Sequence, residues 1–331
     1  MNFDWAIVGG GVCAFDKIQR EKLKKQDFLS TLIELGPSGT SAEVIGSIID
    51  YVEVEETNQA LINALVSPEI RIVSLTVTEG GYYMNSASKD FNLDHPDIKK
   101  DIENPTSPRT VFGVMVEALR LRRQLGYGPV TGLCCDNLEK NGVVLHRAVT
   151  KLAEQIDPDL AEWISENCSF PCSMVDCIVP STGAYELELV QAYSLNDNVP
   201  VTHENFRQWV IEDDFCAGRP DLEKVGVIFT KKVHYYETMK IRLLNGGHQI
   251  IANVGELLSL VTISDCMQDT RIASLFVKIL SEEIAPHLVS VPDKTPVEYI
   301  ELIQKRFSNP TVVDTTRRVA FDGSSRHPGF L

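Results

Sequence analysis

Basic side chains are scarce in this sequence. Its 331 residues contain 31 Lys and Arg against 46 Asp and Glu, a formal net charge of −15. Nucleic acids and anionic membranes bind proteins through clustered positive charge. Lys and Arg do cluster within residues 17–25, and we interpret that cluster as a solvated helix face, because acidic residues dominate elsewhere. The composition therefore predicts neither a nucleic-acid partner nor a membrane partner.

Long apolar runs and metal-binding cysteine motifs are also missing. No segment approaches the roughly 20 apolar residues that span a bilayer. The eight cysteines show no CxxC spacing and no HExxH is present, so we expect neither a metal site nor a disulfide framework. The first residues, MNFDW, do not resemble a secretory signal. We therefore expect a cytoplasmic protein with reduced thiols.

The first two thirds of the chain alternates short apolar runs with amphipathic stretches. Strands are predicted at residues 5–8, 30–35, 70–77 and 130–134, and helices at 16–25, 56–65, 111–125 and 143–155. This order is typical of a parallel sheet covered by helices on both faces. From about residue 233 the apolar periodicity is helical, over residues 235–260, 269–280 and 297–307. The predicted fold is an α/β Rossmann-like domain, residues 1–228, followed by an all-α domain, residues 229–331.

The stretch GGGVCA, residues 9–14, fits the GxGxxG/A turn that binds dinucleotide phosphates after a Rossmann strand. An acidic residue, Glu34, follows about 20 residues later, where a ribose ligand is expected. Gly9 and Gly11 are therefore candidate cofactor-binding residues. A later strand-to-helix turn, in which glycines only permit tight packing, fits the same letters, and a lone glycine motif does not decide between the two.

Polar side chains follow three of the apolar runs. Glu79 lies in SLTVTEGGY, Asn137 in CCDNLEKNG and Asp176 in FPCSMVD. Since open α/β sheets bind ligands at the carboxyl ends of their strands, Glu79 and Asn137 are expected at the ligand-binding edge. Taken singly, each of these residues also fits a helix cap or a turn.

The segment MKIRLLNGGH, residues 239–248, places polar residues in an aliphatic helix. On an α-helix, His248 would lie about 80° and Asn245 about 140° round from Lys240, so that all three border one cleft. Partial burial lowers the pKa of a lysine, as a base that removes an alcohol proton near neutral pH requires. Asn245 would donate to an oxygen that gains negative charge. A snorkelling lysine and a satisfied core histidine are the alternative interpretation.

The pattern Lys240-x4-Asn245-x2-His248 resembles the signature of the polyol-specific long-chain dehydrogenases, the mannitol dehydrogenase family. Further blocks resemble that family in the same order: DWAIVGGGV, SLTVTEGGYY, CDN-x3-NG, FPCSMVD, QWVIEDDF and RFSNPTVVDTTRRVAFDGS. The resemblance covers essentially the whole chain. It implies a zinc-independent, NAD-dependent oxidation of a polyol secondary alcohol to a ketose, or the reverse reduction, with NADP less favoured as cofactor.

The resemblance also implies roles at the reacting centre. Lys240 would be the general base, and Asn137 and Asn245 would hold the carbonyl or alkoxide oxygen, with Asn137 also bordering the cofactor. Glu79 would gate a water path that carries the proton away from Lys240.

Further roles concern binding. His248 and Arg318 would grip substrate hydroxyls, and Asp176 would help to position the substrate. Asp16 would contact the adenosine ribose and favour NAD over NADP. Family members are expected to be monomeric.

The chain departs from the family pattern at both ends and at two cysteines. The family's phosphate-binding turn lies upstream of the DWAIVGGGV block, so we expect an N-terminally incomplete Rossmann-like domain and a C-terminally truncated helical domain. Cys172 replaces the usual Asn and Cys177 the usual Arg. The absence of the first βα unit would remove part of the cofactor site, which would weaken NAD binding, and would expose a sheet edge, which invites association. Two alternatives stay open: a hexuronate reductase of the same family, and a catalytically impaired remnant that acts as a binding protein.

Overall fold

The computed structural model describes residues 5–85, 88 and 90–321. Strands and helices alternate through its N-terminal region. The elements are β1 (Ile7–Gly9), α1 (Ala14–Lys24), β2 (Ser30–Gly36), β3 (Gly39–Ile45), β4 (Ile48–Tyr51), α2 (Gln59–Val66), β5 (Ile72–Leu75), α3 (Pro96–Glu103), α4 (Val111–Leu125), β6 (Thr131–Cys134), α5 (Asn141–Ile156), α6 (Pro158–Asn167), β7 (Ser173–Asp176), α7 (Ala184–Ala192), β8 (Val201–Glu204), β9 (Gln208–Ile211) and β10 (Ile228–Phe229).

The rest of the described chain is helical, as its periodicity predicts. Its elements are α8 (Val233–Met239), a π-helical segment (Lys240–Asn245), α9 (Gly246–Leu257), α10 (Ile263–Gln268), α11 (Thr270–Lys278), a second π-helical segment (Ile279–Ile284), α12 (Pro296–Phe307) and α13 (Thr316–Ala320). The order of an α/β region and then a helical region confirms the predicted fold class.

The strand pairing is mostly parallel, with β1 beside β4, β5 beside β6, β2 beside β8 and β9 beside β10. Two pairs are antiparallel, β2 with β3 and β7 with β9. Only Pro37 and Ser38 separate β2 from β3, and so short a loop joins antiparallel strands, because a parallel crossover needs a dozen or more residues. Gly39, at φ +144°, takes a conformation at this turn that side chains rarely adopt. The expectation of a parallel sheet is therefore wrong at these two pairs.

Two large apolar clusters hold the described chain together. One lies within the N-terminal region, around β5, β6, α4 and α5. The other contains Ile33, Met174 and Val210, from β2, β7 and β9, together with Leu243 and Phe276 of the helical region. Since these side chains share one core, the helical region packs directly on the strands. That packing brings residues from both regions to a common junction.

Candidate active site

The helix that carries MKIRLLNGGH runs from α8 into α9, but it is π-helical at Lys240–Asn245. In a π turn a backbone N–H bonds to the carbonyl five residues earlier, as Gly246 does to Ile241. Asn245 therefore lies one wide turn above Lys240. A regular α-helix would place it about 140° away, and that expectation is wrong because the helix is not regular here. Lys240 is 7% exposed and Asn245 is half-buried.

Lys240 contacts Asn137 across the junction of the two regions. Its Nζ donates a hydrogen bond to Oδ1 of Asn137, which follows the carboxyl end of β6. Asn137 is exposed, so this contact lies at the edge of the buried lysine site. With its oxygen facing the lysine, the Asn137 amide NH₂ group still supplies donors to another oxygen. A buried amine and an amide donor are thus brought together.

Glu237 lies on the same helix, three residues before Lys240, and this spacing places both side chains on one face. It is 5% exposed, and its two carboxylate oxygens accept the backbone N–H of Lys140, at 3.1 and 3.2 Å. Burial raises the pKa of Glu237 to about 7, and the charge of Lys240 opposes part of that rise. A carboxyl group that titrates near neutral pH beside an amine is suited to exchange a proton with it.

His248 lies near the start of α9, with its ring stacked on Phe307 of α12. The two ring centroids are 3.9 Å apart and their planes differ by 9°. Burial, and then the charges of Arg306, Arg318 and Lys240, lowers the pKa of His248 to about 3. The imidazole is therefore neutral at neutral pH, with one nitrogen as donor and the other as acceptor.

The glycine before this histidine has a packing explanation. A Cβ atom on Gly247 would lie 2.7 Å from the ring of Phe276, closer than real Cβ contacts allow. Phe276 in turn packs against Phe307, with ring centroids 5.7 Å apart. Gly247 thus admits the aromatic rings that support His248.

Arg318 lies on α13, which is tied to α9 because Gln249 Nε2 donates to the Val319 carbonyl at 2.6 Å. The guanidinium of Arg318 contacts Oδ1 of Asp314, from Nε at 2.9 Å and from Nη2 at 2.7 Å. The other oxygen of Asp314, Oδ2, lies 4.0 Å from Nε2 of His248. Asp314 is therefore placed between the two predicted substrate-binding side chains.

Asp176, at the end of β7, lies in a buried ion cluster. Its carboxylate accepts two hydrogen bonds from Arg306, at 2.7 and 3.0 Å, and one from the Tyr299 hydroxyl. The same guanidinium donates to Glu204 of β8, at 2.7 and 2.9 Å. Because Arg306 and Tyr299 belong to α12, the cluster joins the two regions. In the structure, Asp176 connects β7 to α12 through this cluster, and its contact with substrate stays a prediction.

The glycine turn after β1 is filled by side chains of the chain itself. A Cβ atom on Gly9 would lie 2.4 Å from the Tyr51 ring, and one on Gly11 would lie 2.1 Å from the Asp16 carboxyl carbon. Asp16 also accepts the backbone N–H of Cys13 at 3.0 Å, in the first turn of α1. These contacts favour the tight-packing interpretation of the two glycines. Cofactor contacts of Gly9, Gly11 and Asp16 stay predictions.

Asp136 ties the loop after β5 to the end of β6. Its two oxygens accept the backbone N–H groups of Val77 and Thr78, each at 3.0 Å, and the Tyr82 hydroxyl at 2.8 Å. Thr78 has φ +64°, which is strained for a β-branched residue. Glu79 begins a 3₁₀ turn at this point, but its side chain lies outside the described part of the chain, as does the role predicted for it.

Metal-ligand clusters and membrane-spanning helices are both absent from residues 5–85, 88 and 90–321. No three or more His, Cys, Asp or Glu side chains gather there as a metal site. In the same residues, no helix has the length and apolar character needed to cross a bilayer. All eight cysteines are free thiols.

Two residues of this junction were not singled out from the sequence, Glu237 and Asp314. Glu237 stands three positions before Lys240, and Asp314 stands four positions before Arg318. Such spacing from a candidate residue is a signal for a partner on a helix. For Asp314 even that signal is incomplete, because its approach to His248 depends on the packing of α13 on α9.

Comparison with known proteins places the whole chain in a family context. Residues 2–224 match the mannitol dehydrogenase Rossmann domain, and residues 232–331 match the mannitol dehydrogenase C-terminal domain. Mannitol 2-dehydrogenase of Cereibacter sphaeroides is 52% identical over 99% of this chain and 69% of the relative. Polyol:NADP oxidoreductase of Gluconobacter oxydans (strain 621H) is 41% identical over 98% of this chain and 67% of the relative.

A solved structure agrees closely with the fold. The Pseudomonas fluorescens mannitol 2-dehydrogenase ternary complex with NAD and D-mannitol superposes with a TM-score of 0.93 at 42% identity. The match covers 98% of this chain and 66% of that chain. The present chain thus spans about two thirds of the length of these proteins.

Proposed function

The chain belongs to the mannitol dehydrogenase family, and from that premise we propose that it is a zinc-independent, NAD-dependent oxidoreductase that converts a polyol secondary alcohol to a ketose and catalyses the reverse reduction. The observation that carries the proposal is the contact of buried Lys240 with Asn137 where the two regions meet. The proposed substrate pair is of the D-mannitol and D-fructose type. Relatives named mannitol 2-dehydrogenase, one of them solved with NAD and D-mannitol, support that choice.

NAD fits acidic and amide side chains that follow two of the parallel strands. Asp16 follows β1 and Asn137 follows β6, so both lie at the carboxyl ends of parallel strands, where dinucleotides bind in open α/β sheets. The Asp16 carboxylate offers acceptors to ribose hydroxyls and would repel the extra phosphate of NADP. When bound, NAD supplies the hydride acceptor.

The proton of the alcohol goes to Lys240 in this proposal. As an uncharged amine, Nζ accepts the hydroxyl proton, and burial disfavours the charged form of a lysine. Asn137 and Asn245 donate amide hydrogen bonds to the oxygen as it gains negative charge. Glu237, one helical turn before Lys240, takes the proton onward, because its carboxyl group titrates near neutral pH.

The remaining side chains hold the polyol. His248 is neutral and stacked in place, so it exchanges hydrogen bonds with a hydroxyl without adding charge. Arg318 is half-exposed and donates from the opposite helix, α13. Monomeric state and a cytoplasmic location belong to the proposal as well. The eight free thiols support a reducing compartment.

The test begins with NADH binding to the purified chain, followed by fluorescence quenching. Nicotinamide absorbance is then recorded with fructose, with fructuronate and, in parallel, with NADPH. Binding of NADH with turnover of fructose is expected. Binding without turnover would favour the impaired remnant, and turnover of fructuronate alone would favour the hexuronate reductase. Failure to bind NADH would overturn the proposed function of this chain.

A further inference from the structure

Asp314 has one carboxylate oxygen fully engaged and one facing His248. Nε and Nη2 of Arg318 both contact Oδ1, and Oδ2 lies 4.0 Å from Nε2 of His248. That separation is too long for a direct hydrogen bond. Neither Oδ2 nor Nε2 has a hydrogen-bond partner among the residues that the structure describes, although both atoms are buried. Two buried polar atoms therefore face each other beside the proposed polyol site.

The position of this carboxylate is fixed by its backbone. Ile263 N–H donates to the Asp314 carbonyl at 2.9 Å, and Asp314 N–H donates to the Val312 carbonyl at 3.0 Å. The Asp314 side chain is 3% exposed. Thr315, the next residue, caps α13 by accepting the Arg318 N–H at 3.3 Å. The carboxylate and the guanidinium are thus held on one short, anchored segment.

A fixed carboxylate has consequences for both neighbours. Facing Nε2, it favours the neutral tautomer that carries the proton on Nε2, and it leaves Nδ1 as the acceptor nitrogen of His248. Facing Arg318, it restricts the guanidinium and compensates its positive charge. Arg306, the other nearby guanidinium, is compensated by Asp176 and Glu204.

We propose that Asp314 is a positioning residue that selects uncharged polyols, because it fixes Arg318 and His248 and its charge disfavours a substrate carboxylate at their end of the site. The inference rests on the proposed function and adds a reason for its specificity. A ketose or polyol needs oriented donors and acceptors for its hydroxyls. The carboxylate of a hexuronate needs an uncompensated cation, and Asp314 neutralises the positive charge that Arg318 would otherwise offer to it.

The test compares Asp314→Asn with the parent chain, using fructose and fructuronate as substrates with NADH. The amide keeps the size of the side chain and removes its charge. We expect KM for fructose to rise about tenfold with kcat changed less than about threefold, since the reacting centre is untouched. The ratio of kcat/KM for fructuronate to that for fructose should rise about tenfold or more, because Arg318 is no longer compensated.

Two further variants keep the proposal testable if Asp314→Asn does not fold. Asp314→Glu retains the charge and should retain the preference for fructose. Arg318→Gln, at a half-exposed position, should lower the fructuronate ratio about tenfold, because the carboxylate then stands alone. The double variant that combines Asp314→Asn with Arg318→Gln should show a fructuronate-to-fructose ratio close to that of the parent, since the two charges act on each other. Arg317→Gln is the matched control, because Arg317 is 88% exposed and pairs with Glu256.

An unchanged substrate ratio in folded Asp314→Asn would overturn this inference while the parent's turnover leaves the proposed function standing. If Asp314→Asn does not fold, an unchanged fructuronate-to-fructose ratio in Arg318→Gln would overturn the inference instead. A parent chain without turnover would instead remove the proposed function, and the inference with it.

Discussion

Lys240 and Asn137 are 103 positions apart in the sequence, and in the folded chain Nζ of the lysine donates a hydrogen bond to the side-chain oxygen of Asn137. Asn137 follows a strand of the α/β region, and Lys240 begins a π turn of the helical region. A reacting oxygen at this point would meet both an amine and an amide. The chemistry proposed for this chain therefore depends on the two regions staying together.

Replacement of the lysine tests its role as the base. Lys240→Ala should lower kcat for polyol oxidation by about 10²–10⁴-fold, the usual contribution of a general base. Turnover is followed by nicotinamide absorbance, and NADH binding is measured alongside to show that the site is still formed. Lys231→Ala, at an exposed position just before α8, should leave kcat unchanged. A loss of less than a few-fold in Lys240→Ala would show that another group removes the proton.

Glu237 should shape the pH dependence of oxidation. With a pKa of about 7, Glu237 is mostly protonated below that pH, and the carboxylate that can accept a proton predominates above it. We therefore expect kcat to rise as the pH increases through 7. Glu237→Gln should remove that inflection and lower kcat at pH 8 by about tenfold or more. Glu139→Gln is the control: it removes a neighbouring negative charge that raises the pKa of Glu237, so the inflection should persist and move to lower pH.

An inflection near pH 7 that survives in Glu237→Gln would show that a different group carries the proton. The profile is best measured from pH 5.5 to 9 at saturating polyol, because kcat then reports the bound enzyme.

His248 should make the folded chain sensitive to acid. Its pKa is about 3 when folded and about 6.5 when unfolded, so below pH 6.5 the unfolded chain binds more protons. The stability that depends on neutral His248 is complete above pH 6.5 and is lost as the pH falls toward 3. Between pH 7.5 and 5, the parent should lose about 2 kcal/mol more unfolding free energy than His248→Asn.

Urea unfolding at the two pH values measures that difference, and His234→Asn, at an exposed position of α8, is the control. Equal pH dependence in the parent and His248→Asn would show that His248 is not held neutral by the fold.

The ion cluster of Arg306 should contribute strongly to stability. Arg306→Met leaves two buried carboxylates, Asp176 and Glu204, without their cation, and breaking a buried pair in this way costs about 3–5 kcal/mol. The loss should be smaller at pH 5 than at pH 8, because the deprived carboxyl groups then have raised pKa values and protonate. Urea unfolding curves give both numbers. Arg271→Met, which breaks an exposed pair with Asp269, should have little effect.

Much of the fold could be predicted from local patterns. The helix predicted at residues 111–125 has the bounds Val111–Leu125, because Thr110 caps it and Gly126 ends it in a left-handed conformation. The buried strand before Asn137 was equally clear from its apolar run. The apolar pattern does not predict the hairpin of β2 and β3, although Gly36, Pro37 and Ser38 mark a tight turn between the two strands.

The candidate site was predictable in its members more than in its contacts. The α-helical spacing of 100° per residue does not predict the π turn, since no residue type in this segment marks where the extra residue lies. Gly9 and Gly11 fitted a phosphate-binding motif, yet Tyr51 and Asp16 fill the space in front of them. Asp314 gains its place between His248 and Arg318 from the packing of α13 on α9. Contacts of this kind join residues far apart in the chain, and periodicity reports only local spacing.

The π turn at Lys240–Asn245 also affects how this helix responds to an insertion or a deletion. A π turn holds one residue more than an α turn, so loss of a single codon within it would let the backbone return to regular α-helical hydrogen bonding while α9 keeps its orientation relative to α8. His248 would stay stacked on Phe307, and Gly247 would still face Phe276. The same deletion within α9 would rotate the residues after it by about 100°, so the π turn is a position where this helix can absorb a one-residue change in length.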